Sequence, residues 1–392
     1  MYFKEVFRHI SKIFLEFEYY PANQYSYHFD STTTGPNDTR YSLAITKYQR
    51  PYTQYFLRFS TTKGLINSAD PNETDLVSQL LSIRMMIHKH ISCTNEAYND
   101  ALIEFFYKYG FFSNPNNDLL NVSRDSINSF LDLLFYIVEI RKTLSSETGL
   151  TNKSCKYLLS IITNMLFLKI NNYEFDITSF HLPYCMVRTD SRMYDSFDDI
   201  DAEIRKSKIM EIDANQLSED EWEYYYAAKD IILNLQEYLE KHCSPEEVQI
   251  TNFYRTHIID GHFNLETNKS TKKTSIVFNG SDLTDFKKEI VDISNTVCNY
   301  FFSQAFKESP ILLNSQLNRD AIEHNLKQNV YNLGDALLLS LLYFDPTSQE
   351  FKKCELDTCS NYFIASKNNT KKIYCCRAHA RTAATKKFRE LN

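Results

Sequence analysis

The sequence predicts an α+β protein that is mainly α, and three observations lead to this fold class. Apolar residues recur at spacings of three and four in several segments between residues 72 and 344, which is the period of an amphipathic helix. Residues 1–65 are rich in Tyr, Phe and Thr, residue types that favour strands. The last forty or so residues hold cysteine and histidine in two close pairs. We therefore expect a large helical body, a small N-terminal region with strands, and a distinct C-terminal module.

The N-terminal region contains two predicted strands, at residues 41–48 and 52–60. The Gly-Pro-Asn-Asp sequence at 35–38 has the composition of a tight turn, because these residue types either tolerate or preset the dihedral angles that turns require. We expect a small sheet before the helices begin.

The helical body begins near residue 72, where Leu76, Leu80, Leu81, Ile83 and Met86 repeat at helical spacing. The same criterion predicts further helices at residues 101–112, 129–143, 156–170, 219–242, 282–306 and 329–344. Residues 173–187 and 250–279 are predicted to be extended or irregular, as connections or a small sheet, because polar residues interrupt their apolar pattern.

The last of these helices is strongly apolar, and Pro346 is expected to end it. It directly precedes the cysteine-containing module and is a natural docking surface for it. The predicted domains are a mainly helical sensing or assembly body over residues 1–348, with a candidate sub-boundary near 171–218, and a module over residues 349–392.

Charge is distributed unevenly along the chain. The formal net charge is −7, but residues 352–392 hold ten Lys or Arg against three acidic residues, or about +7, which leaves about −14 for residues 1–351. Twelve Asp or Glu lie between Asp190 and Glu223. We interpret this acidic stretch as a solvated connector, with shielding of the basic tail as the alternative. The basic tail itself favours a polyanionic partner.

The chain has nine cysteines, of which only the last four are clustered. Scattered single cysteines do not suggest a disulfide framework, and neither a signal peptide nor an apolar stretch of membrane-spanning length is recognisable. We therefore expect a cytoplasmic protein with no membrane partner.

The seven glycines are too widely spaced for several common enzyme motifs, since no two lie closer than nineteen residues. Dinucleotide-binding and phosphate-binding loops need closely spaced glycines, and a nucleophile elbow needs glycine on both sides of its serine. These enzyme classes are excluded, and we expect the protein not to be an enzyme.

Two groups of residues outside the C-terminal module are alternative candidates for a chemical site. His257, Asp260 and His262 could supply metal ligands from one loop, although ordinary structural roles are more common for such residues. Arg319 and His324 resemble the Arg-x4-His signature of HEPN-type ribonucleases, in which the arginine would stabilise phosphate charge and the histidine would move a proton. A ribonuclease is therefore the least favoured alternative.

The C-terminal module has the spacing of a zinc site. Cys354-x4-Cys359 is separated by fifteen residues from Cys375-x3-His379, and thiolate with imidazole is a usual ligand set for structural Zn²⁺. The first pair can form a knuckle whose backbone N–H groups point at sulfur. Residues 361–364 and 371–374 are predicted to form a hairpin, followed by a helix that carries the second pair on one face. This order predicts a treble-clef-like zinc finger, with Cys376 as the alternative ligand to Cys375.

These residues resemble the C-terminal zinc finger of the CGNR family, bacterial proteins regarded as transcription regulators. The matching elements are the Cys-x4-Cys pair, Tyr362-Phe363, the basic residues 367–372, and Tyr374-Cys375 leading into a basic helix. Residues 101–110 also look like the helical N-terminal region of the family. The final cysteine of the family is His379 here, and its Gly-Asn-Arg is replaced by Ala380-Arg381-Thr382. The resemblance implies a bacterial DNA-binding transcription regulator.

The predicted C-terminal helix is thin and basic, because Arg and Lys alternate with alanines. Such a helix can enter a major groove or follow a phosphate backbone, while nothing in it defines a base preference. The candidate nucleic-acid-binding residues are Lys371, Lys372, Arg377, Arg381, Lys386, Lys387 and Arg389. We expect DNA to be the partner rather than RNA. The alternative is a subunit of a larger complex that uses the finger to dock on protein or RNA, with self-association as a further option.

Overall fold

A computed structural model describes most of the chain outside its central segment. The described residues are 16–18, 25–35, 38–47, 57–60, 63–67, 74–88, 94–113, 119–146, 149–166, 244–267, 274–280, 282–308, 311–312, 327–329, 332–369 and 371–391. The predicted helix at 219–242, the irregular segment at 173–187, the sub-boundary near 171–218, the acidic stretch, and Arg319 with His324 all lie outside these residues.

The described residues form two compact units. The first contains the described residues up to 145 and those from 302 onward, and the second contains the described residues between 146 and 301. The C-terminal module thus lies in the first unit. The boundary at residue 349 stays a prediction. Both units consist of helices and small, mostly antiparallel sheets. This confirms the predicted fold class, which is α+β and mainly α.

The described strands of the first unit that lie outside the C-terminal module form two sheets. β2 (Tyr25–Gly35), β3 (Asp38–Lys47) and β6 (Leu119–Ser123) make an antiparallel sheet, and Gly35 pairs with Asp38 at the predicted turn. A five-stranded sheet has the order β5-β4-β1-β10-β9, in which β1 and β10 are parallel. Its strands are β1 (Glu16–Glu18), β4 (Leu57–Ser60), β5 (Gly64–Asn67), β9 (Ile311–Leu312) and β10 (Lys327–Asn329).

The helices of the first unit follow the predicted apolar spacing. They are α1 (Leu76–His88), α2 (Asn95–Tyr109), α3 (Arg124–Leu144) and α7 (Leu333–Tyr343). Side chains cap all four of them, since Asp75, Thr94, Ser123 and Asn332 each accept a hydrogen bond from a backbone N–H of the first turn. The predicted helices at 101–112, 129–143 and 329–344 are confirmed, with ends shifted by a few residues.

Aromatic packing accounts for part of the high Tyr and Phe content. The ring of Phe106 on α2 lies 5.1 to 5.7 Å, centroid to centroid, from those of Tyr27, Phe111 and Phe112. All four side chains are buried. Helix α7, whose eleven residues are all buried, also belongs to the core of this unit. Arg141 of α3 donates hydrogen bonds to the carbonyls of Leu342 and Phe344, which satisfies carbonyl groups at the C-terminal end of α7.

The second unit contains helices and one hairpin. Its elements are α4 (Asn152–Leu166), α5 (Pro245–Ile259), β7 (Phe263–Thr267), β8 (Thr274–Phe278) and the part of α6 (Lys287–Glu308) up to residue 301. The predicted helix at 156–170 is confirmed over its described residues. The predicted helix at 282–306 is confirmed from Lys287 onward, whereas residues 282–286 lie outside it and are mostly turns.

The prediction that residues 250–279 are extended or irregular is wrong for residues 250–259, which belong to α5. Local interactions fix where this helix begins. Ser244 and Glu247 form a reciprocal capping box, and Pro245 occupies the first turn. The remaining residues include the β7–β8 hairpin, so the small-sheet alternative is confirmed there.

The C-terminal module consists of a hairpin and a helix. β11 (Gln349–Lys353) pairs with β12 (Tyr362–Ser366), and α8 (Arg377–Leu391) ends the module. The predicted pairing of residues 361–364 with 371–374 is therefore wrong, because the strand that pairs with β12 precedes the first cysteine pair. Across the described residues, no helix is both long and apolar enough to span a membrane.

Candidate metal centre and basic helix

The β11–β12 hairpin positions the first cysteine pair. Cys354 follows the last residue of β11, and its N–H donates to the carbonyl of Asn361 at 2.9 Å, which continues the hairpin toward its tip. The N–H of Cys359 closes a turn by donating to the carbonyl of Leu356 at 2.8 Å. The N–H of Asn361 then points back at Cys359 Sγ at 3.3 Å. This arrangement is the predicted knuckle, with backbone N–H groups directed at sulfur.

The start of α8 positions the second pair. Cys375 lies two residues before the helix begins, and His379 lies in its first turn. The two side chains meet on one side of the chain, with Cys375 Sγ 3.0 Å from His379 Nδ1. The preceding segment is held against the knuckle because the N–H of Glu355 donates to the carbonyl of Ile373 at 3.1 Å. Residues that are 21 positions apart in sequence, Cys354 and Cys375, are thus brought to one place.

The four ligand atoms converge on a common centre. The sulfurs of Cys354, Cys359 and Cys375 and one ring nitrogen of His379 all lie within 4.8 Å of one another. Neighbouring ligands of a tetrahedral zinc lie about 3.8 Å apart for two sulfurs and about 3.6 Å apart for sulfur and nitrogen. The Cys359–Cys375 separation of 3.9 Å and the Cys354–His379 separation of 3.7 Å match these values. The 3.0 Å between Cys375 and His379 is shorter and corresponds to a hydrogen bond.

Burial and hydrogen bonding set the protonation of the thiols. Burial raises the pKa of Cys354, but N–H groups of Cys375 and Leu356 donate to its sulfur, and together with His379 they bring its pKa down to about 7. Burial raises the pKa of Cys359 and of Cys375, and the proximity of Cys354 raises both further. A soft divalent ion binds thiolates, so metal binding here would release protons. The donor set, three sulfurs and one imidazole, fits zinc.

A small core surrounds the ligands. Leu356, Phe363 and Ala365 are buried beside Cys354 and Cys359, and the partly buried Tyr374 and Ala383 pack against them. This core is too small to hold a hairpin and a helix together without further help. A metal bound by all four side chains would supply that help by joining the hairpin to α8.

Cys376 does not belong to this group. Its side chain is exposed, and the only group of three or more possible metal ligands in the described part of the chain contains its neighbour Cys375. The geometry therefore favours Cys375, as the one-turn relation to His379 predicts.

The basic residues of the module all lie on its surface. Each of the seven candidate nucleic-acid-binding side chains is exposed: Lys371, Lys372, Arg377, Arg381, Lys386, Lys387 and Arg389. Two of them also contact the module itself. Lys386 Nζ lies 2.8 Å from an oxygen of Asp357 in the knuckle, and Lys372 Nζ donates to the carbonyl of Ile364 at 3.3 Å. Both ammonium groups are therefore partly engaged in contacts within the module.

The hairpin of the module is docked on the helices of the first unit. The N–H of Tyr362 donates to Ser82 Oγ on α1 at 2.8 Å, and Lys367 Nζ donates to the carbonyl of Ser145 at 3.1 Å. Lys367 thus places its charge at the negative end of α3. These contacts join residues 222 to 280 positions apart, and no local sequence signal indicates them.

A second histidine cluster lies in the second unit. His257 Nδ1 is 3.0 Å from His262 Nδ1, and His257 Nε2 is 3.1 Å from an oxygen of Glu289. Both ring nitrogens of His257 are therefore engaged. Asp260, the third residue proposed from the sequence, is exposed at the end of α5. The acidic residue that contacts His257 is instead Glu289. Glu289 lies too far along the chain for residue spacing to indicate this contact.

Comparisons of the chain with protein-family models, with curated proteins and with solved structures found no match.

Proposed function

We propose that the protein is a zinc-stabilised nucleic-acid-binding protein, with DNA as the expected partner and with the basic surface of α8 as the contact region. The observation that carries the proposal is the position of His379. His379, within the first turn of α8, is both a candidate metal ligand and part of the basic helix, so a bound metal would fix how that helix is presented.

The metal is proposed to be structural. Cys354, Cys359, Cys375 and His379 would hold a zinc ion, and four protein ligands leave no coordination position for water or substrate. A zinc ion held by these four side chains would join the knuckle to α8 through coordinate bonds. The succession of knuckle, strand and ligand-bearing helix supports the treble-clef type, and it agrees with the resemblance to the CGNR zinc finger.

The geometry of α8 supports contact with a polyanion. At about 100° per residue, His379 and Ala383 lie on the side of the helix that faces the small core, whereas Arg377 and Arg381 lie on the opposite side. The exposure of both arginines agrees with this placement. Residues 377–389 extend over about 18 Å, which is long enough to reach several successive phosphates. We infer that the helix binds mainly phosphate, with little base preference of its own.

A basic finger docked on a larger body is the organisation expected of a transcription regulator in which the body senses a ligand or assembles subunits. The resemblance to the CGNR family supports this role.

Fluorescence anisotropy of a labelled DNA with the full-length protein tests the proposal. We expect binding that weakens with salt, and we expect the double variant Arg377→Ala, Arg381→Ala to bind more weakly at every salt concentration. Loss of two phosphate contacts should reduce the slope of log affinity against log salt by about 2.

The matched control is the double variant Lys153→Ala, Lys288→Ala. It removes the same charge from exposed positions on α4 and α6 of the second unit and should leave binding unchanged. Equal weakening by both double variants would show that total charge, rather than α8, governs binding. Absence of DNA binding by the wild-type protein, with stable co-purification of another protein, would favour the docking-module alternative.

A further inference from the structure

Two of the candidate zinc ligands are cysteines that lie close together although they belong to different parts of the module. Cys359 ends the knuckle, Cys375 precedes α8, and their sulfurs are 3.9 Å apart. Both residues lie in segments outside the helices and strands. A disulfide bond brings two sulfurs to about 2 Å from each other. The two side chains therefore need to close a gap of only about 2 Å to form one.

Exposure distinguishes the two thiols. The Cys375 side chain is partly exposed, whereas Cys359 and Cys354 are buried. A small oxidant that diffuses to the finger therefore meets the sulfur of Cys375 first. Zinc ligation requires the thiolate form of cysteine, which is also the form that reacts with peroxides.

On the basis of the proposed function, we propose that the finger is a redox switch in which hydrogen peroxide joins Cys359 and Cys375 in a disulfide, so that the module loses zinc and binds DNA more weakly. The Cys375 thiolate attacks one peroxide oxygen, the O–O bond breaks, and a sulfenic acid forms as hydroxide leaves. The Cys359 thiolate then attacks the Cys375 sulfur, and the S–S bond forms as the S–O bond breaks. Two thiolates, one hydrogen peroxide and two protons thus give one disulfide and two waters.

The disulfide removes two of the four ligands from the metal site. Cys354 and His379 remain, with Cys354 Sγ 3.7 Å from His379 Nδ1. Two protein ligands do not complete the tetrahedral coordination of a structural zinc. Oxidation of one pair of cysteines is therefore sufficient to release the ion.

The disulfide also anchors α8 in a different way. With zinc bound, Cys375 before the helix and His379 in its first turn would both be tied to the knuckle. After oxidation only Cys375 is tied, and it lies outside the helix. The direction of α8 is then no longer fixed from within its first turn, so ordering the helix on DNA costs free energy. We expect a loss of affinity of about tenfold.

Cys376 is the competing partner for Cys375, because its thiol is exposed and adjacent in sequence. The Cα atoms of neighbouring residues lie about 3.8 Å apart across a trans peptide bond, which is shorter than the range of about 4.4 to 6.8 Å in ordinary disulfides. A bond to Cys359 is therefore favoured over a bond between the two neighbours. Cys376→Ser is the matched variant that tests this choice.

Oxidation of the zinc-loaded full-length protein with a small excess of hydrogen peroxide tests the proposal. A chromogenic chelator measures released zinc, and mass spectrometry after tryptic digestion without reductant locates the disulfide. Trypsin places Cys359 in the peptide 354–367 and Cys375 in the peptide 373–377. We expect one zinc released for each cross-link between these peptides. Fluorescence anisotropy with a labelled DNA should show about tenfold weaker binding, which reductant with added zinc restores.

Fragmentation of the cross-linked peptides should assign the bond to Cys359 and Cys375, and Cys376→Ser should give the same bond and the same release of zinc. A bond through Cys354 or Cys376 would overturn the switch. Oxidation confined to Cys376, with zinc retained, would also overturn it.

The DNA measurements separate this switch from the function on which it depends. If the reduced protein binds DNA and the oxidised protein binds it equally well, the switch is overturned and the proposed function stands. If the reduced, zinc-loaded protein binds no DNA, the proposed function is overturned, and zinc release with the Cys359–Cys375 bond still identifies a redox-sensitive finger.

Discussion

Two histidine-containing clusters in the described part of the chain differ in where their polar atoms point. In the C-terminal module, His379 and three cysteines direct one ligand atom each toward a common centre. In the second unit, His257 uses one ring nitrogen for His262 and the other for Glu289. The first arrangement leaves sulfur and nitrogen lone pairs for an ion. The second satisfies the buried imidazole internally.

The comparison shows that nearby histidines and acidic residues do not by themselves indicate a metal site. His257 is 4% exposed and packs against the rings of Phe253, Phe263 and Phe286. Burial lowers its pKa, with partial compensation by Glu289, so the neutral ring is favoured. We therefore propose metal binding for the module and a structural role for the His257 cluster.

Removal of the proposed metal should have the largest effect on the folding of the module. Metal binding by a small finger contributes on the order of 10 kcal/mol to its folding, so Cys354→Ser or a strong chelator should unfold the hairpin tip and α8. Hydrogen exchange followed by mass spectrometry should show loss of protection in α8 and none in α5.

Cys376→Ser is the control for this experiment, because it removes an exposed thiol next to a proposed ligand. Protection of α8 should be unchanged in that variant. Equal loss of protection in α5 and α8 on chelation would contradict the distinction between the two clusters.

A steric change where the module docks should have the next largest effect. Gly64 has φ +77°, and an added Cβ would overlap the carboxylate of Asp75 and lie 2.8 Å from Ile364 Cδ1 on β12. Gly280 in the second unit has φ +82° with no atom within 4 Å of such a Cβ. Gly280→Ala therefore costs only backbone strain, about 1 to 2 kcal/mol.

Gly64→Ala adds the clash, and we expect it to lower the free energy of unfolding by a further 1 to 3 kcal/mol or so. Chemical denaturation of both variants gives the difference. Because the ligands stay in place, zinc content should remain at the wild-type level in Gly64→Ala. Equal destabilisation by the two substitutions would mean that the close approach of Gly64, Asp75 and β12 is unimportant.

Substitution of His257 should have an intermediate and pH-dependent effect. His257→Gln disturbs a buried hydrogen-bonded group and should destabilise the second unit by about 1 to 3 kcal/mol at pH 7.5. The pKa of His257 is lowered from its ordinary value of 6.5 in the folded protein, so the unfolded chain binds more protons as the pH falls below that value. The wild-type protein therefore loses stability on acidification through this group, and the variant does not.

The difference in unfolding free energy between wild-type and His257→Gln should thus become smaller between pH 7.5 and pH 5.5. Urea titrations of both proteins at the two pH values measure it. A difference that grew on acidification would indicate that His257 is stabilised in its charged form, contrary to its burial.

The smallest effect is expected at the ion pair on the finger surface. The Lys386 and Asp357 side chains are 57% and 80% exposed, and exposed pairs of this kind contribute less than about 1 kcal/mol. Asp357→Asn should leave zinc content unchanged and shift the melting temperature very little. A large loss of metal in this variant would mean that the pair, rather than the four ligands, holds α8 on the knuckle.

Local signals made part of the fold predictable from sequence. The spacing of apolar residues predicts α1, α2, α3 and α7, because each of these helices buries one face or its whole surface. The four candidate ligands were also predictable, since the members of each pair lie within five residues of one another and need only a turn to meet.

Other features depend on residues far apart in the sequence. The pairing of β11 with β12 was missed because Gln349–Lys353 is mostly polar and has no strand pattern of its own. Helix α5 was missed because its apolar pattern is interrupted, whereas the Ser244 capping box that begins it is a local signal that could have been used. Three further contacts follow from tertiary packing alone, namely Tyr362–Ser82, Lys367–Ser145 and His257–Glu289.

Metal analysis of the purified full-length protein tests the central claim most directly, with the neighbouring variants Cys375→Ser and Cys376→Ser as a matched pair. We expect one zinc per chain in the wild type and in Cys376→Ser, and loss of zinc in Cys375→Ser. A wild-type protein without zinc, or zinc retained in Cys375→Ser and lost in Cys376→Ser, would contradict it.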